Sequence, residues 1–300
     1  MRRLLEILII AGVLAGIAFW FLTAPSTLTK EAVASLPEGD ATKGELVFAA
    51  AGCASCHAAD GAKGADKLAL AGGHELDTPF GIFRVPNISQ SKERGIGAWS
   101  LEDFANAMVK GVSPDGSHYY PAFPYGSYTR MQASDISDLF AYMKTLPASE
   151  NEVADHSLSF PYTVRRGLGL WKLINLDASP VIDVGDDPQL QRGRYLVEAM
   201  AHCAECHTPR DFTGGLETGR WMAGAPNPSG RGGIPNISPH ENGIASWSAE
   251  DIVNSLETGF TPEFDSFGGS MVAVQENMAK LSRSDLEAIA AYLKAIPAVD

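Results

Sequence analysis

At 300 residues the chain has room for two domains of roughly 100–200 residues each. Apolar residues make up 45% and charged residues 20%, and the 30 Gly and 18 Pro follow no period, so neither a disordered chain nor a collagen-like fibre is expected. The net charge of −13 repels phosphate backbones, which excludes nucleic acid as an expected partner.

The N-terminus reads as a membrane signal. Arg2 and Arg3 precede an apolar run from Leu4 to Leu22 broken only by Glu6, close to the ~20 residues that span a bilayer as a helix. The positive-inside rule keeps the two arginines in the cytoplasm and sends the remaining chain into the periplasm, with Trp20 and Phe21 as interfacial aromatics. A cleaved signal peptide fits less well, because a site ending at Ala24 would put Leu22 at the −3 position. The expected division is an inner-membrane anchor over 1–24 and a linker over 25–39, with Glu6 within a turn of Arg2 and Arg3.

The remaining chain repeats itself. Cys53-Ala54-Ser55-Cys56-His57 returns as Cys203-Ala204-Glu205-Cys206-His207, 150 residues on. Val85-Pro86-Asn87-Ile88-Ser89 returns as Ile234-Pro235-Asn236-Ile237-Ser238, and Ala98-Trp99-Ser100 as Ser246-Trp247-Ser248. This is a duplicated module, with domains expected over 40–149 and 188–300 and a strap over 150–187 too apolar for a loose linker. Each copy reads as helical. Helices over 44–51 and 191–200 lead into the Cys motifs, and Ser100 and Ser248 cap a helix with Asp103 and Asp251 at the third position. A last helix is expected to start at Ser134 or Ser284 and to end before Pro147 or Pro297. The long Gly- and Pro-rich stretches between are unusual in a compact domain unless they wrap something.

Cys-x-x-Cys-His is the attachment motif of c-type haem. Two thiols bond the two vinyl groups on one porphyrin edge, and the following His is held under the iron as its fifth ligand. One such motif arises by chance in on the order of one chain in a thousand; two at matched places in a repeat do not. A zinc site needs four ligands close together, which the separation of the two pairs opposes. A thioredoxin-type pair would lack the fixed His. Two covalently attached haem c groups are therefore expected, on Cys53, Cys56 and His57 and on Cys203, Cys206 and His207.

With these motifs the sequence resembles the class I cytochrome c family, and within it the membrane-anchored cytochrome subunits of bacterial periplasmic alcohol, aldehyde and gluconate dehydrogenases. The resemblance runs over about residues 40–297 and includes Gly193 to Val197, Thr78-Pro79-Phe80-Gly81 and Tyr120-Pro121-Ala122-Phe123-Pro124-Tyr125. It implies an all-α fold of two tandem class I cytochrome c domains after the anchor. Many relatives carry three haems; this chain has two motifs. In the second copy Met271 matches the family's sixth-ligand position, with Met278 as a rival read as packing. In the first copy Phe123 stands where many relatives have Met. Met131 is the nearest thioether and is taken as the sixth ligand, although it aligns with the apolar Leu281; His118 and an open iron are the alternatives. Asn87 and Asn236 are expected to hydrogen-bond haem, or to hold a turn. Trp99 and Trp247 contact haem or fill the core, and Arg84 and Arg166 neutralise propionates or equally lie at the surface.

The expected function is single-electron transfer rather than catalysis. A periplasmic dehydrogenase, or a quinol-oxidising partner, donates; a soluble cytochrome or terminal oxidase accepts. The alternative is a dihaem enzyme, such as a cytochrome c peroxidase with an open first haem.

Overall fold

The computed structural model describes residues 1–227 and 232–300. Helix α1 (Arg2–Leu22) is exposed along its length, and Arg2 pairs with Glu6 at 3.0 Å, so the one carboxylate in the apolar run is neutralised near its start. Residues 25–39 are docked rather than slack. They include α2 (Lys30–Ala34), Leu28 N donates to Asn106 Oδ1 at 2.7 Å, and Leu28 and Leu36 pack on the core.

The first copy contains α3 (Ala41–Ala50), α4 (Cys53–His57), strands β1 (Glu75–Thr78) and β2 (Gly81–Arg84), α5 (Leu101–Lys110), α6 (Tyr125–Tyr128) and α7 (Ala133–Met143). The strap carries β3 (Ser157–Leu158) and α8 (Leu168–Asn175). The second copy has α9 (Pro188–Arg194), which runs on as a π-type turn over Tyr195–Met200, then α10 (Ala204–His207), β4 (Ala225–Pro226), β5 (Gly233–Ile234), α11 (Ala249–Thr258), α12 (Met271–Met278) and α13 (Arg283–Ala295). The fold is mostly helical. The small antiparallel β1–β2–β3 sheet, with Glu75 opposite Arg84 and Gly81 opposite Leu158, and the β4–β5 pair only close the long loops.

Both expected capping boxes form: Ser100 Oγ accepts from Asp103 N at 3.1 Å and Ser248 Oγ from Asp251 N at 3.1 Å, with each aspartate returning a bond to the cap's N–H. The final helices begin earlier than Ser134 and Ser284. Ser282 caps α13 by accepting from Asp285 N at 3.1 Å, and Gln132 sits at the equivalent place on α7 with no side-chain cap. Ser-x-x-Asp places the acceptor over the third N–H, so Ser282 outcompetes Ser284.

In each copy the entry helix crosses the final helix at a glycine. A Cβ on Gly44 in α3 would lie 1.9 Å from Asp138 O in α7, and one on Gly193 in α9 would lie 2.0 Å from Ala288 O in α13. One contiguous core spans both copies, from Val47, Phe104 and Leu139 to Leu196, Ile252 and Leu286.

The copies differ at the turn that follows α5 and α11. Gly116 (φ 79°) lies between the bridged residues Val112 and His118; in the second copy Phe264 (φ 62°) takes its place between Phe260 and Ser266. A left-handed backbone costs a non-glycine residue about 1–2 kcal/mol, and Phe264 is 92% exposed, so packing does not repay it. Phe264→Gly is expected to stabilise the protein by about 0.5–1 kcal/mol after glycine's greater unfolded-state freedom is subtracted; denaturant midpoints check this.

Candidate haem-binding site

The two Cys-x-x-Cys-His segments each form a short helical turn directly after the entry helix, so helix packing sets their position. His57 Nδ1 lies 2.8 Å from Pro86 O and His207 Nδ1 lies 2.8 Å from Pro235 O. A carbonyl can only accept, so Nδ1 carries the proton and Nε2 offers its lone pair. Burial pulls His57 down to about 4 and also lowers His207, against the opposing pull of those carbonyls. Both imidazoles are thus neutral, the form that binds a metal. Burial pushes the thiols of Cys53 and Cys203 up to about 12, and Cys56 and Cys206 are raised as well.

Neither proline was singled out in the sequence as acting on the site, although their recurrence beside Asn87 and Asn236 was the available signal. Both asparagines hold a turn. Asn87 donates to Ser149 O at 2.8 Å and Asn151 O at 2.9 Å and accepts from Ser89 N at 2.9 Å, which uses both amide hydrogens. Asn236 donates to Val299 O at 2.6 Å and accepts from Ser238 N at 2.8 Å. Each ties the segment after the last helix to the loop whose proline orients the histidine, and so acts on the site through that proline.

Arg84 and Arg166 both have partners within the protein. Arg84 binds Glu75 at 2.8 Å and Asp155 O at 2.5 Å, and Arg166 binds Thr23 Oγ1 at 3.0 Å and Trp20 O at 2.5 Å. His118 is buried with Nε2 2.9 Å from Thr23 O, so that nitrogen is occupied by the backbone directly after α1. Met271 begins α12 and is partly exposed. Met131 and Met278 are buried in the core. Phe123 packs edge-on against Tyr119, Tyr125 and Tyr128. Trp99 and Trp247 are half-buried against the core, and their carbonyls accept from Lys144 and Lys294 at 3.4 and 2.8 Å.

The two attachment turns face one another across the contact between copies. Ser127 Oγ donates to Glu205 Oε1 at 2.9 Å, and Asn277 Nδ2 donates to Ser55 Oγ at 2.9 Å. Residues 55 and 205 are the same position of the motif, and 127 and 277 are likewise matched, so the copies pair with approximate two-fold symmetry. Arg210 neutralises Glu205 at 2.6 Å. Tyr128 Oη and His202 Nε2 both approach Ala51 O, at 3.1 and 3.3 Å. The Cys56 thiol is raised first by burial and next by Cys206, which places the two attachment cysteines in one electrostatic neighbourhood.

These donors fit a c-type haem: paired thiols on one turn and a neutral histidine with a fixed tautomer. Among the described residues no group of three or more His, Cys, Asp or Glu is placed to hold a metal ion.

Comparison with known proteins agrees. Residues 41–147 match the family model for cytochrome c, and residues 188–293 match that described as cytochrome C oxidase, cbb3-type, subunit III. A "Diheme cytochrome c-type" protein of Cereibacter sphaeroides is 47% identical over 100% of both chains. The fructose dehydrogenase cytochrome subunit of Gluconobacter japonicus is 36% identical over 90% of this chain, and the cytochrome c subunit of the quinone alcohol dehydrogenase of Gluconobacter oxydans is 35% identical over 86%. The chain spans 55% of the length of each of these two. With two matched attachment motifs, two cytochrome c domains and a full-length dihaem relative, the chain belongs to the class I dihaem c-type cytochromes and carries two covalently bound haem c groups.

Proposed function

We propose that the protein accepts single electrons from a periplasmic dehydrogenase or a quinol-oxidising partner, passes them between its two haems, and delivers them to a soluble cytochrome or terminal oxidase. Helix α1 holds it at the bacterial inner membrane with both haem domains in the periplasm. The observation that carries this reading is that each attachment turn is bonded to a helix of the other copy, Glu205 to Ser127 of α6 and Ser55 to Asn277 of α12. The contact is part-buried and lies at the attachment positions of both copies, so the two haems would be held near the boundary between the domains. The names of the relatives support a dehydrogenase as donor.

In this reading His57 and His207 are fifth ligands, and Met271 and Met131 are sixth ligands of the second and first haems. Trp99 and Trp247 flank the porphyrins. The haem groups supply reversible one-electron chemistry at iron. The chain supplies neutral imidazoles aimed by Pro86 and Pro235 and the cysteines for thioether attachment.

The ligand assignment has a direct test. The near-infrared thioether–iron charge-transfer band of the oxidised protein is expected to fall by about half on Met271→Ala and by about half on Met131→Ala. An unchanged band in Met131→Ala, together with tight cyanide binding by the unaltered protein, would instead give an open first haem. Phe123 standing in the usual methionine position favours that second reading, with peroxidase chemistry as its consequence.

A further inference from the structure

We infer that α8 and the segment before it form a second membrane contact, lying in the headgroup layer beside the point where α1 emerges. This rests on the reading of α1 as a membrane anchor.

The first observation is a clamp. Thr23, directly after the apolar run, is completely buried. Its carbonyl is 2.9 Å from His118 Nε2, and its hydroxyl accepts from Arg166 Nε at 3.0 Å. Arg166 also donates to Trp20 O, and its guanidinium lies 4.2 Å from the centre of the Trp20 ring. On α8 itself, a Cβ at Gly169 would sit 2.5 Å from Thr23 Cα, so the helix rests directly on the end of the anchor. An interfacial tryptophan fixes the depth of that end at the edge of the hydrocarbon. Because α8 starts two residues after Arg166, it lies at the same depth.

The second observation is what α8 shows on its other side. Leu170, Leu173 and Ile174 are 42%, 65% and 69% exposed. Their spacing of i, i+3 and i+4 makes one apolar stripe on one helix face. Just upstream, Phe160, Tyr162 and Val164 are exposed at 82%, 44% and 46%.

The third observation is charge. The chain has 36 acidic residues, yet none lies between His156 and Leu176, where Arg165, Arg166 and Lys172 are found. An apolar stripe with neighbouring cations and no acid is the composition of a helix that lies in the interface plane. A bilayer surface is the occupant that the clamp brings to this face. Two contacts, one spanning and one lying flat, fix the tilt of the first haem domain against the membrane; a single anchor would let it swing.

The test uses the full-length holoprotein in phosphatidylcholine vesicles whose acyl chains carry a photoactivatable diazirine, with adducts located by mass spectrometry. Adducts are expected on 2–22 and on 160–174. The double variant Leu173→Ser with Ile174→Ser is expected to lower the yield on 160–174 by roughly threefold or more while leaving 2–22 and the haem absorbance unchanged. Adducts on 2–22 with none on 160–174 overturn the inference and leave the anchor standing. Adducts on neither segment overturn both. Protection of 160–174 only when a protein subunit co-purifies assigns the face to that protein and also overturns the inference.

Discussion

Glu198→Ala is expected to destabilise the protein by about 3–5 kcal/mol, which for a chain of this size lowers the thermal midpoint by roughly 10 °C. Glu198 is 2% exposed. Its carboxylate accepts from Val181 N at 2.7 Å, Ile182 N at 2.9 Å and Tyr292 Oη at 2.7 Å, and Tyr292 Oη in turn accepts from Trp221 Nε1 at 3.1 Å. Burial and the neighbouring carboxylate push the Tyr292 phenol well above its ordinary range, so it donates at every working pH. Truncation leaves two part-buried amides of the strap and one buried hydroxyl without acceptors, and the strap loses its hold on the second domain. Glu198→Gln keeps an acceptor and is expected to cost about 1–2 kcal/mol. Hydrogen exchange at the Val181 and Ile182 amides separates local release from global loss: it should quicken in both variants, and most in the alanine one.

The first copy shows why this carboxylate could not be inferred from the repeat. At the position of Glu198 it has Phe48, which packs against Tyr142 with ring centres 5.2 Å apart. The same geometry is filled by an aromatic pair in one copy and by a hydrogen-bonded acid in the other. What the sequence shows well is what local chemistry dictates: the two attachment turns, the Ser-x-x-Asp caps at Ser100 and Ser248, and the apolar run over Leu4–Leu22. Ser282 was missed because Ser284 has the same local composition, and only the register of α13 decides between them. The pairing of Ser127 with Glu205 and of Asn277 with Ser55 joins positions far apart in the chain and different in type. No periodicity marks such a contact. The partners of Arg166 are the carbonyl and ring of Trp20, which the sequence puts in a different element.

Gly193→Val and Gly44→Val are expected to remove one haem each from the mature protein. The helices cross where a side chain would have to occupy the space of a backbone carbonyl: Ala288 O at 2.0 Å from the Cβ of residue 193, and Asp138 O at 1.9 Å from that of residue 44. A carbonyl inside a helix cannot rotate away, so α9 and α13, or α3 and α7, must separate. Even alanine is expected to cost about 3 kcal/mol, at the upper end of overpacking penalties, and valine more. The cost falls on the site because the entry helices run straight into the attachment turns, at Cys53 and Cys203, while Pro86 and Pro235 are held from the opposite side by Asn87 and Asn236. Pulling the turn from the loop lengthens both His Nδ1–carbonyl bonds of 2.8 Å and frees the imidazole to rotate off the iron axis. Haem-to-protein stoichiometry should therefore fall from two toward one in each variant. Separate redox titrations should show which copy has been lost: the second in Gly193→Val and the first in Gly44→Val. Equal loss from both copies would mean that the shared core, and not the local crossing, sets the stability of each haem domain.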